Sequence, residues 1–526
     1  MFDSLITNAL IVDGSGAAPF LGSVGVRDGR IAAVGAEREL AFAAAKSTTD
    51  AGGDVVAPGF IDLHSHADFS VQGSPAAETQ LMQGITTVVT GNCGASAFPT
   101  RNLDMLRQAS AQFDSVFDGE WSDAAGFARV TNSHRPGVNL VTQIGHTSLR
   151  AHVLGMANRP ASPEEVAQMQ AEIRLAAAQG ARGFTTGLVY APGSYADAGE
   201  IEALVRTAAE AGLLYSSHLR NESGQLIAAV TEAIDAAEAT GARLEISHLK
   251  AMGPAQYGLT AQALELIDAA QSRGVDVAAD VYPYTASSTT LTSRLPAFAL
   301  DGGPAALLAR LADPTERGRV AAGLAARFGY DVDPAGVRIA DLGPVTGSDY
   351  RWAVGQSLTE IGEQLGCSPE EAALRVLAGH GAAVAIVNHA MAEADVAAVL
   401  QHRLVSVASD GWTLSAAGSG TPHPRSFGTF ARVLGTYVRE LGLLSLEEAV
   451  RKMTSLPASR IGLTDRGVIA PNSVADLVRF DPVLITDHAT YTDPWQLATG
   501  VSQVWVAGQP AVTGGAVTGE RYGAVL

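Results

Sequence analysis

Six side chains able to hold a metal ion recur in this sequence, each just beyond a run of apolar residues. The run Val55 to Ile61 leads into His64-Ser65-His66. Alternate residues of a strand share a face, so both imidazoles would project together from its C-terminal end. Two neutral imidazoles one pleat repeat apart suit a borderline-soft cation such as zinc. Downstream, TGNCG supplies Cys93, SSHLRNES supplies His218, ISHLKAMG supplies His248 and VASDGW supplies Asp410. Each has an ordinary alternative: a hydrogen-bonded structural histidine, a small buried cysteine, an Asp-Gly turn. Taken together, nitrogen, thiolate and carboxylate donors at successive strand ends point to a zinc site. The remaining strand-end histidines carry less: His146 is expected to line the pocket, and His389 ends one more apolar run. His134, His152, His380, His402 and His488 fall in loops or helices and are expected in solvent.

Donors so far apart in sequence need a scaffold that gathers strand ends. Short apolar runs alternate with amphipathic helices, the latter starting at Ser162-Pro163-Glu164-Glu165, Ser368-Pro369-Glu370-Glu371 and Ser445-Leu446-Glu447-Glu448 as capping-box patterns. Strands are expected at 55–63, 85–90, 138–144, 182–188, 213–217, 243–247, 275–281, 383–388 and 404–409. Such alternation implies βαβ units around a parallel sheet. With no Gly-x-Gly-x-x-Gly or Walker loop to support a doubly wound sheet, the expectation is a (β/α)8 TIM-like barrel with its site at the C-terminal strand ends. Nine candidates compete for eight places. The Pro- and Ala-rich stretch at about 289–345 reads as an insertion at the barrel mouth. Both termini read as β: Leu5 to Val12, Val24 to Arg27 and Arg30 to Val34 around an Asp28-Gly29 hairpin turn, then Asp476 to Phe480, Val504 to Val506 and Pro510 to Val512 around Gly508-Gln509. A small β-sandwich built from residues 1–57 and 466–526 would flank a barrel at 58–465.

Composition narrows the partners. The 526 residues are 47% hydrophobic and can bury a large core, while a net charge of −19 disfavours nucleic acid. Two cysteines, Cys93 and Cys367, are too few for a disulfide framework. With no basic leader and no apolar run of membrane-spanning length, a soluble cytoplasmic protein of open oligomeric state is expected.

GFIDLHSHAD, TGNCG, SSHLRNES, ISHLK, DVYPY, SDGW and PHPRSFGTF resemble the D-aminoacylase (N-acyl-D-amino-acid deacylase) family of the amidohydrolase superfamily, and the resemblance runs on through MTSLPASRIGLTDRGVIAPNSVADLVRFDP. It implies a tight zinc held by Cys93, His218 and His248, with His64, His66 and Asp410 lining a second, weaker metal position. Many superfamily members bridge two metals with a carboxylated lysine on the fourth strand. GFTTGLVYAPG has none there, and the Cys93 thiolate is its natural replacement. The glycine usual in the family is also absent from Pro471-Asn472-Ser473, a β-domain turn.

The expected reaction is hydrolysis of an N-acyl-D-amino acid, with Asp410 taking a proton from zinc-activated water and returning it to the leaving amine. Lys250 shares the strand face of His248, Arg425 follows the Asp410 strand, and Tyr282 adds a hydroxyl; these are the expected contacts for the substrate carboxylate. Arg294, in the insertion, is expected in solvent although family members selecting acidic side chains place an arginine near this region, and neutral, largely hydrophobic side chains are the expected preference. The alternatives are a cyclic amidase or dipeptidase on the same barrel and a metal-free scaffold. All six donors are present, which argues against a scaffold.

Overall fold

The computed structural model describes the whole chain except residues 37–39, 41–42, 102, 104–106 and 108–118. Eight parallel strands form one sheet: β1 (Phe60–Asp62), β2 (Ile85–Thr90), β3 (Asn139–Gly145), β4 (Gly183–Gly187), β5 (Leu214–His218), β6 (Leu244–Ile246), β7 (Val277–Val281) and β8 (Val405–Val407), paired in that order. The ring closes just past the strand ends. Ser65 bridges Gly411 in parallel, His66 N–H donates to the Gly411 carbonyl at 2.8 Å and Asp410 N–H to that of His64 at 2.7 Å. Closure therefore joins two of the donor-bearing segments directly. The barrel floor is plugged by Ile61, Leu63, Val89, Val141 and Leu214 packed against Ala458, Ile461 and Leu463.

The run expected as one strand at 55–63 is shared by two sheets. Val55–Pro58 pairs with Phe2–Ile11 and Leu477–Phe480, whereas β1 begins at Phe60. The crossing is at Gly59, where a Cβ would lie 2.3 Å from Thr86 Oγ1, so no side chain fits between the sheets. The first sheet has nine strands drawn from both termini. Asp28 and Gly29 have φ of 51° and 72°, the positive pair a tight hairpin needs. At the other end the turn is Ala507-Gly508, one residue earlier than expected, because Gln509 already pairs with Val506. The segment Gly523–Leu526 returns to the barrel, Leu526 N–H donating to the Leu140 carbonyl at 2.9 Å.

The surplus strand is the run at 383–388. As Val384–His389 it pairs antiparallel with Ala286–Thr290 and Val337–Leu342 in a separate three-stranded sheet. This unit has its own core, including Leu291, Leu307, Val320, Ile339, Leu374 and Ile386. The excursion expected at about 289–345 thus runs from Ala286 to His389, its third strand being as apolar as any barrel strand. Helix starts follow the capping patterns closely. Ser162 and Glu165 form a complete capping box before Pro163–Ala178, and Ser445 caps Leu446–Met453; Ser368 precedes the helix Pro369–Gly379 without a side-chain cap bond. Among the described residues no helix is long and apolar enough to cross a membrane.

Candidate metal centre

The six donors meet at the C-terminal mouth of the barrel. Cys93 Sγ is the hub, 3.2 Å from His64 Nε2, 3.3 Å from His218 Nδ1 and 3.3 Å from His248 Nε2. Asp410 Oδ1 lies 3.0 Å from His66 Nε2 and 3.4 Å from His64 Nε2. His64 faces both groups. All except half-buried His66 are buried. His218 closes β5 itself, while the others sit on the first residues past their strands.

Local backbone conformation aims three of them. Cys93, His248 and Asp410 have φ of 55°, 36° and 51°, a region that side chains other than glycine's rarely occupy. The Cys93 turn is wedged between strands: a Cβ on Gly91 would lie 2.2 Å from the Gln143 carbonyl oxygen, and one on Gly187 would lie 1.9 Å from that of Cys93. Asn92 Nδ2 donates to the Val89 carbonyl at 2.9 Å and holds the turn against β2.

This donor set fits zinc. A tetrahedral site with Zn–S of about 2.3 Å and Zn–N of about 2.0–2.1 Å separates sulfur from nitrogen by about 3.6 Å, close to the spacings around Cys93. Burial lowers the basicity of His64, to a pKa of about 3, and of His218 and His248, which favours the neutral form that an imidazole needs to act as a metal ligand. Burial, reinforced by the Asp410 charge, raises the Cys93 thiol well above its usual range. A thiolate there requires an adjacent cation. Burial would also raise Asp410, yet Arg425, His64 and the His66 hydrogen bond hold its carboxyl well below the ordinary value. Arg425 Nη1 is 2.7 Å from Asp410 Oδ2, which leaves Oδ1 toward His66.

The expected substrate contacts converge as well. The Tyr282 ring has Arg425 Cζ 5.0 Å and Lys250 Nζ 5.8 Å from its centroid, and its buried hydroxyl has no hydrogen-bond partner. Lys250 Nζ is already engaged, 2.5 Å from Glu222 Oε1 and 2.8 Å from His248 Nδ1. Arg294, expected in solvent, is 5% exposed and its Nε has no partner. Burial and the nearby Arg327 charge lower its basicity, while Tyr190, Asp331 and Glu222 act in the opposite sense. Arg327 pairs with Asp331 at 2.6 Å, whereas among the described residues no carboxylate pairs with Arg294.

His146 lies outside the donor cluster, with Nε2 2.8 Å from Glu200. His389 is half-buried against Tyr491 in the insertion sheet. His380 is buried rather than solvated, its ring bonded to the Gly343 carbonyl and the Tyr350 N–H. Sequence reasoning missed Glu222, four residues past His218 in a motif already singled out. It also missed Asp280, which accepts from His248 N–H at 2.7 Å and lies 3.3 Å from His64 Nδ1. Asp280 is the fourth residue of β7, and strand alternation could have exposed it.

A closed parallel barrel with thiolate, imidazole and carboxylate donors gathered at its C-terminal mouth defines an amidohydrolase-type barrel. The Amidohydrolase family model matches residues 47–512, and the chain belongs to that family, in its D-aminoacylase branch. It is 38% identical over 509 residues to an N-acyl-D-glutamate deacylase of Alcaligenes xylosoxydans xylosoxydans, covering 96% of this chain and 93% of the relative. Among solved structures it is similar to N-acyl-D-glutamate deacylase from Bordetella bronchiseptica complexed with zinc and a phosphonate mimic of the tetrahedral intermediate, with TM-score 0.84 and 35% identity over 100% of this chain and 99% of that one. A D-aminoacylase whose binuclear metal centre is described by one-metal activation and second-metal attenuation superposes with TM-score 0.82, at 32% identity over the whole of both chains.

Proposed function

We propose that this protein hydrolyses N-acyl-D-amino acids to a carboxylate and a free D-amino acid. The observation that carries the reading is the Cys93 hub with its three imidazole nitrogens at 3.2–3.3 Å. Cys93, His218 and His248 would hold a tight zinc, and His64, His66 and Asp410 would form the weaker second side. Zinc supplies Lewis acidity there, polarising an amide carbonyl and making water nucleophilic near neutral pH.

The chain's own groups do the rest. Asp410 accepts the water proton through Oδ1 and passes it to the leaving nitrogen, while Arg425 fixes Oδ2 and keeps the carboxylate ionised. Tyr282, between Arg425 and Lys250, presents its free hydroxyl to the substrate α-carboxylate. Arg294 favours an acidic side chain over the hydrophobic one that the sequence suggests. A buried guanidinium without a carboxylate is costly until an anion joins it, and a D-glutamyl or D-aspartyl side chain supplies that anion. The same reading divides the chain into a catalytic barrel over 58–465 carrying the insertion, and a β unit from 1–57 and 466–526.

The test is turnover of N-acetyl-D-glutamate, N-acetyl-D-methionine, their L enantiomers and a hydantoin by zinc-loaded protein. Release of D-glutamate with the highest kcat/KM is expected. Turnover of the hydantoin alone would sink the deacylase reading, and a preference for D-methionine would remove Arg294 as the selector.

A further inference from the structure

Glu222 stands where one carboxylate reaches both imidazoles assigned to the tight metal. It follows His218 by four residues, in the loop after β5, and is 7% exposed. Its Oε2 lies 3.4 Å from His218 Nε2 and its Oε1 3.0 Å from His248 Nδ1. On each ring this is the nitrogen opposite the one facing Cys93. An imidazole that binds a metal through one nitrogen carries its proton on the other, and the acceptor of that proton sets tautomer and ring orientation. The two rings meet edge to face, their centroids 4.4 Å apart, so one acceptor can serve both. Lys250 Nζ at 2.5 Å supplies the counter-charge of the buried carboxylate; it also lies 2.8 Å from His248 Nδ1, and because an ammonium only donates, that nitrogen gives its proton to Glu222 when Lys250 turns wholly to the carboxylate. Met252 N–H donates to the Glu222 carbonyl at 2.7 Å and fixes its backbone.

We propose that Glu222 is a positioning residue that orients His218 and His248 together as neutral donors, one carboxylate oxygen to each ring, with Lys250 as its counter-ion. This rests on the assignment of Cys93, His218 and His248 to the tight metal. It gives Lys250 a duty at the metal centre besides any contact with substrate.

The experiment measures zinc affinity by competition with a chromophoric chelator, independently of turnover, in the full-length protein. Glu222→Gln is expected to weaken zinc 10- to 100-fold. Glu222→Asp keeps the charge on a stem too short to reach both rings, and is expected to weaken zinc and to shift the d–d bands of the cobalt-substituted protein while the melting temperature holds. The double variant Glu222→Gln with Lys250→Met should remain weak, because no acceptor orients the rings. Wild-type affinity in Glu222→Gln or Glu222→Asp would overturn the proposal. Restored affinity in the double variant would overturn it too, since Glu222 would then act only by neutralising Lys250. A wild-type protein that hydrolyses N-acyl-D-amino acids with these variants unchanged rejects the positioning role alone; one that binds no zinc rejects the metal assignment with it.

Discussion

Cys93, His248 and Asp410 each hold a positive φ, a conformation that costs of order 1–3 kcal/mol and persists only where the surroundings over-determine it. Here the compensation is visible: the Asn92 bond behind Cys93, the Asp280 carboxylate on His248 N–H and the barrel-closing bond from Asp410 N–H. Asp410 is thus fixed by backbone as well as by Arg425, and the roles proposed above make its duty separable from metal retention. Asp410→Asn should keep zinc on Cys93, His218 and His248, measured by metal analysis, while kcat falls by about 10²- to 10⁴-fold. Loss of zinc in that variant would reassign Asp410 as a primary ligand. Arg294 makes a different kind of claim, because it concerns which substrate is held. Arg294→Met should lower kcat/KM for N-acetyl-D-glutamate by roughly 30- to 5000-fold, the scale of an unpaired buried charge of about 2–5 kcal/mol, and leave N-acetyl-D-methionine within a few-fold. Equal losses on both substrates would sink the selector role.

At the scale of elements, the site depends on how closely the loop after β2 packs against β4. Gly187 has no positive φ, so its requirement is space: a Cβ there would lie 1.9 Å from the Cys93 carbonyl oxygen. Gly187→Ala should displace the Cys93 turn and weaken zinc by at least tenfold, with much of the fold retained. Gly212→Ala, a control at φ 74° with nothing within 4 Å of its Cβ, should cost only about 1 kcal/mol in stability. Equal zinc affinity in the two variants would show that the packing of Cys93 is not what Gly187 protects. The barrel strands were legible in the sequence because each is a short apolar run bounded by turn or helix signals, and the donors were legible because strand ends are where a barrel keeps its chemistry. The excursion strand Val384–His389 was not separable from them, since it is as apolar as β2 and only its antiparallel partners distinguish it. Glu222 was hidden for a related reason. Strand alternation places residues on β5 but says nothing of a loop four residues beyond His218. Arg294 looked solvated because an arginine in an insertion outside the barrel ordinarily is, and its burial depends on how the insertion folds.

The whole molecule ties its parts together through buried charge as well as apolar packing. Lys452, on the helix Leu446–Met453, points its ammonium at the carbonyls of His402 and Val405, the latter at 3.0 Å, where the chain enters β8. Burial lowers its pKa from 10.5 to about 8, with Arg451 acting in the same sense and Glu448, 3.7 Å away, opposing it. Below pH 8 the folded and unfolded states both carry the proton, and the cost of burying the charge is fully present. Between about pH 8 and 10.5 the unfolded chain binds more protons than the folded one, so stability rises with pH and the cost is progressively relieved. Each pH unit in that window is worth about 1.4 kcal/mol. Lys452→Met removes the titration and leaves two carbonyls without their donor, a deficit independent of pH. The stability of the wild type relative to Lys452→Met, followed by denaturant melts from pH 7.5 to 10.5, should therefore climb by up to about 3 kcal/mol across the window. Parallel curves would show that the helix is not anchored to the β8 seam by a strained ammonium, and that the barrel's closure owes its stability to packing alone.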